Sequence, residues 1–80
     1  MFTDRFLNVK AIHSDEDGNG IIIRLRLNPF SIEGYTEDYV SFTNEAGIEV
    51  EAASTFVYTK FGEFQILEHI DDFEKLLNDR

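Results

Sequence analysis

Residues 15–20 read Asp-Glu-Asp-Gly-Asn-Gly, DEDGNG, and two readings of them lead to two different folds. A helix-loop-helix calcium loop places oxygen ligands at its first, third and fifth positions and glycine at its sixth, and Asp15, Asp17, Asn19 and Gly20 supply all four. Such a loop also needs a bidentate Glu at its twelfth position. Counted from Asp15, that position is Arg26, whose guanidinium repels a cation. The flanks favour the other reading. In residues 5–13, RFLNVKAIH, Leu7, Val9 and Ala11 alternate with Asn8 and Lys10. In residues 21–27, IIIRLRL, Ile21, Ile23, Leu25 and Leu27 fall on one face, with Ile22, Arg24 and Arg26 on the other. Two strands flank the stretch where two helices would be needed, and Gly18, Asn19 and Gly20 tolerate the positive φ of a hairpin turn. DEDGNG therefore turns the chain.

Outward from this hairpin, Asn28-Pro29 ends the second strand, because proline has no N–H for a ladder and biases its predecessor toward extended backbone. Residues 30–37 read as a connection around Gly34. Residues 38–43, DYVSFT, place Val40 and Phe42 on one face. NEAG then turns, and Ile48 and Val50 resume the inward face, with Glu49 and Glu51 outward. A strand over 54–60, bent at Ala52-Ala53, a turn near Gly62 and a fifth strand, EFQILE, follow. In HIDDFEKLLNDR the period changes. Ile70, Phe73, Leu76 and Leu77 recur at helical spacing, and Asp71 with Glu74 matches a capping box, so a helix is expected over 71–78. The expected fold is α+β: one domain over residues 1–80, with a four- to five-stranded, mainly antiparallel sheet and one C-terminal helix packed on it.

Eighty residues bury roughly 60–65% of the unfolded surface and keep a thin core. Eight Phe and three Tyr are many for that core. Phe30, Tyr35, Tyr39, Phe56 and Tyr58 are accordingly assigned to a homodimer interface. The absence of Cys excludes disulfides and thiolate metal sites. The opening residues MFTDRFLNVK do not read as a signal peptide, and no stretch approaches the ~18 apolar residues of a spanning helix. The expected location is the cytoplasm, that of the host if the chain is phage-encoded.

Chemistry of the catalytic kind finds little here. There are two histidines, His13 and His69, and no Gly-x-Ser-x-Gly elbow or Gly-rich phosphate loop followed by Lys. The reading is non-enzymatic, with no metal or cofactor implied. Charge is the feature that stands out. Sixteen acids against seven Lys and Arg give a formal net charge of -9, which disfavours direct binding to nucleic acid or an anionic membrane and attracts a basic partner. Between Arg26 and Lys60 there is no basic residue, while Glu33, Glu37, Asp38, Glu45, Glu49 and Glu51 are all acidic. Glu49 and Glu51, at strand spacing i and i+2, sit roughly 6.6–6.8 Å apart on one face. Carboxylates at that interval imitate a row of phosphates, and Asp15, Glu16 and Asp17, together with Asp71, Asp72 and Glu74, supply two further clusters.

In size, charge, aromatic content and lack of Cys, these residues make the whole chain resemble the small acidic proteins that bacteriophages produce to disable host proteins, several of which are DNA mimics. The resemblance implies a non-enzymatic inhibitor that occupies the DNA-binding surface of a basic host protein. The nucleoid protein HU is the first expectation, since it binds DNA through backbone charge and shape. The implied contact residues are Asp15, Glu16, Asp17, Glu37, Asp38, Glu45, Glu49, Glu51, Asp71, Asp72 and Glu74. The alternative is an acidic accessory or structural protein that docks on another subunit through its sheet edge or aromatic face.

Overall fold

A computed structural model describes residues 6–78. Strands β1 (Leu7–Ser14), β2 (Gly20–Leu27), β3 (Ile32–Thr43), β4 (Glu49–Thr59) and β5 (Gly62–Ile66) are followed by helix α1 (Ile70–Asn78). They form one antiparallel sheet of order β2-β1-β5-β4-β3, and the α+β expectation holds. DEDGNG is a hairpin turn. Gly18 sits at φ 84° and its N–H reaches the Asp15 carbonyl at 3.2 Å. The Asp15 side chain accepts from the N–H of Asp17 and of Asn19, each at 2.9 Å. Residues 44–48 repeat the device, with Gly47 at φ 80° and the Asn44 side-chain oxygen accepting from Ala46 and Ile48.

One face of the sheet carries the core. Leu7, Val9 and Ala11 of β1, Leu27 of β2, Ile66 of β5 and Val57 of β4 are buried there under Phe73 of α1, which has no exposed surface. Tyr35 meets Phe73 edge-on, with ring centroids 5.3 Å apart. Since directly opposed residues on neighbouring strands share a face, the ladder fixes every other side chain relative to this core.

Several boundaries differ from the sequence reading. Residues 30–37 are not a connection. A 3-10 turn, Pro29–Ser31, capped by the Asn28 side chain, leads directly into a twelve-residue β3. Gly34 does not end the strand, because a register shift between Ile32 and Gly34 accommodates the irregularity and pairing with β4 continues to Thr43. Pairing of β4 runs without interruption through Ala52-Ala53, which stand opposite Val40 and Tyr39. Ile48 closes the β3–β4 turn, its N–H held by Asn44, and is exposed. Val50, opposite Phe42, lies on the face away from the helix, so Glu49 and Glu51, expected outward, stand on the core side of the sheet instead. The capping box is not formed. His69 caps α1 instead, its Nδ1 accepting from the Asp71 N–H at 3.1 Å and its carbonyl from Phe73, while Glu74 is taken up by the Tyr35 hydroxyl at 3.0 Å.

The sheet curls until its two edge strands meet at one place, a parallel bridge between Asn19 and Thr43. There Gly20 lies against the ring of Phe42, which is buried on the face away from the helix.

An acidic face as candidate functional site

The ladder sorts the acidic residues onto surfaces. Glu37 is opposite Thr55, Ser41 opposite Glu51 and Thr43 opposite Glu49. All share the face of Tyr35 and Val57, so Glu37, Glu49 and Glu51 lie on the helix side of the sheet. The six-residue step from Glu37 to Thr43, the partner of Glu49, spans roughly 20 Å at about 3.3 Å per residue. At one end of this row, the start of α1 adds Asp71 and Glu74. The Glu37 and Asp71 carboxylates approach the two ring nitrogens of His69 at 3.9 and 3.6 Å, and Glu74 accepts from Tyr35. The same hydrogen bond holds the Tyr35 phenol above its usual pKa, with burial and the Glu74 charge adding to the effect. Asp71 and Asp72 occupy the first turn of α1, where the helix dipole favours negative charge. At the other end, the β1–β2 and β3–β4 turns converge, and Asp15 and Glu45 line one cleft of about 380 Å³ between them. Glu16 and Asp17 are exposed in the same turn as Asp15.

Asp38 departs from this arrangement. Adjacent to Glu37 on a strand, it points to the opposite face, across from Ser54, and accepts from Gln65 Nε2 at 3.1 Å. Its carboxyl is held below the ordinary value first by the Tyr39 N–H and then by Gln65. Asp15 is likewise lowered, chiefly by the Asn19 N–H. Among the described residues no group of three or more His, Asp or Glu side chains is placed to hold a metal ion. No described helix is long and apolar enough to cross a membrane.

Of the five described Lys and Arg, Lys75 is in the last turn of α1 and Lys60 in the β4–β5 turn, and the other three lie away from the helix. Lys10 is opposite Arg24 and Asn8 opposite Arg26, out of phase with the Val9–Leu25 and Leu7–Leu27 pairs of the core. Lys10, Arg24 and Arg26 therefore share the face away from the helix. The alternation around IIIRLRL placed the two arginines together, but Lys10 joins them only through the register.

The five aromatics assigned to a dimer interface are dispersed. Tyr35 packs on Phe73 within the chain, and Tyr39 is exposed on the helix side. Phe56 and Tyr58 stack edge-on with each other on the opposite face, and Phe30 is exposed in the 3-10 turn. No single plane covers all five. The contributions of His69 and Tyr35 to the acidic face were missed from the sequence, because each depends on a contact between segments far apart in the chain.

Neither a family model, a curated protein nor a solved structure matches this chain.

Proposed function

We propose that this protein is a non-enzymatic inhibitor that presents carboxylates in place of DNA phosphates and occupies the DNA-binding surface of a basic protein in the host cytoplasm, with the nucleoid protein HU as first candidate. The observation that carries the reading is a partial segregation of charge, with Lys75 of α1 and Asp38 and Glu63 of the opposite face as exceptions. Glu37, Glu49, Glu51, Asp71 and Glu74 follow one side of the molecule, and the turn acids Asp15, Glu16, Asp17 and Glu45 extend them at one end. Lys10, Arg24 and Arg26 are kept on the other side. An ordered acidic face steers a basic partner by long-range attraction and repels nucleic acid. Asp38 belongs to the opposite face and stands outside the proposed contact.

Binding to purified HU, measured by calorimetry and by competition with a labelled duplex, tests the reading. The duplex is expected to be displaced, with affinity falling by orders of magnitude between about 50 and 200 mM salt. Glu49→Lys with Glu51→Lys is expected to weaken binding by about tenfold or more. A complex that forms alongside DNA, or one indifferent to salt, would sink the mimicry. The same titration after capture from bacterial lysate extends the test to other DNA-binding proteins.

One feature favours the accessory-protein reading. Phe30, and Phe61 at 84% exposure, sit on two turns joined by the Lys60 N–H to Ser31 carbonyl bond, forming an apolar end away from the acidic turns. Docking through that end is insensitive to salt, which separates the two readings.

A further inference from the structure

The face away from the helix holds an arrangement that the acidic reading does not use. Lys10 and Arg24 stand directly across from one another in the β1–β2 ladder, and Arg26 follows Arg24 on the same side. Directly opposed like charges destabilise a sheet, because their Cβ atoms are only about 4.5–5.5 Å apart. The chain carries 16 acids, yet none among the described residues forms an ion pair with these three cations. The three side chains, with Asn8 and Ile22 on the same face, border an open cleft of about 710 Å³ that the strands at Val9 and Leu25 also line, large enough for a small ligand. Leu67 and Glu68 form its far wall.

We infer that this cleft binds a small polyanion bearing two or more oxyanion groups, of the di- or triphosphate kind. Arginine guanidinium groups suit phosphate oxygens because their planar forks donate two parallel hydrogen bonds, and Lys10 supplies a point charge beside them. Spacings of about 5 Å across the ladder and 6.6–6.8 Å along β2 let one ligand with adjacent anionic groups touch all three cations. The ligand is short because the opposite face and the turns are acidic and repel a long polyanion. Glu68 at the wall opposes the ligand, which makes its removal informative. The bound anion relieves the repulsion between Lys10 and Arg24 and stabilises the folded chain.

The experiment is an NMR titration of the full chain with pyrophosphate, repeated at matched ionic strength with sodium chloride, together with thermal unfolding. Saturable shifts confined to Asn8–Lys10, Arg24–Arg26 and Leu67–Glu68, with a rise in Tm, are expected. Arg24→Glu and Arg26→Glu are each expected to weaken binding by about tenfold or more, and Glu68→Gln to strengthen it. All three side chains lie at or near the surface, and circular dichroism of each variant checks that it folds. Shifts reproduced by sodium chloride, shifts that persist in both arginine variants, or no saturation at all would overturn the assignment. Binding of duplex DNA as tight as that of pyrophosphate would overturn the restriction to a short ligand.

Discussion

Asp15 and Asn44 perform the same task at the start of the two hairpin turns. Each accepts two backbone N–H groups through one side-chain oxygen and is followed three residues later by a glycine at positive φ. That geometry needs an acceptor and no charge, which the Asn at position 44 demonstrates. Asp15→Asn is therefore expected to leave stability near pH 7 scarcely changed. The acid limb should differ. The native-state pKa of Asp15 lies below its unfolded value, so its contribution is present above about pH 4 and is lost as pH falls through the lowered value. Urea denaturation near pH 7 and pH 3 should show a smaller acid loss in the variant than in the parent, and identical losses would contradict this account. The turn was legible from Gly18, since its backbone freedom is a local property. The choice of His69 over Asp71 as helix cap was not. Both residue types are found at helix starts, and the backbone path out of β5 determines which side chain reaches the free N–H groups.

At the level of the element, α1 is nine residues long and too short to be stable by itself. It persists because Phe73 is fully buried and because Tyr35 of β3 reaches Glu74. Phe73→Ala is expected to cost about 3–5 kcal/mol, a large share of the 5–15 kcal/mol available to a small domain. Tyr35→Phe removes only the hydroxyl and is expected to cost about 0.5–1 kcal/mol, since the bond is solvent-accessible. The Tyr35 pKa is raised in the folded state, so its contribution is complete below pH 10 and is lost as pH rises through the raised value. Denaturation at neutral and strongly alkaline pH should show that alkaline loss in the parent and a smaller one in the variant. The helix was legible from Ile70, Phe73, Leu76 and Leu77, because a 3.6-residue period needs no partner to be recognised. The first half of β3 was not. Glu33 and Gly34 lower its strand propensity, and only pairing with β4 holds it extended. That misreading also hid the fate of Asp38. Neighbours on a strand point to opposite faces, so Glu37 and Asp38 cannot serve one row.

Across the whole molecule, closure depends on the approach of two edges. Asn19 bridges Thr43, and Gly20 lies so close to Phe42 that a Cβ there would overlap the base of the ring. Gly20→Ala should force the ring or the bridge aside at a cost of about 1–3 kcal/mol, read as a drop in Tm; an unchanged Tm would mean that the closure contributes little. Closure also brings the two acidic turns together at one end, and no local pattern announces that convergence. By itself, the sequence determined the strand alternation, the two glycine turns, the C-terminal helix and the net charge of -9, because each follows from backbone preference, periodicity or composition. It also determined that Glu49 and Glu51 share a side, since a period of two requires it. The tertiary structure alone decided which acids stand together, that Lys10 faces Arg24, and that Tyr35 and His69 tie the helix start to β3. These are contacts between segments distant in the chain, and they depend on register and curvature, which the whole set of packed strands settles jointly.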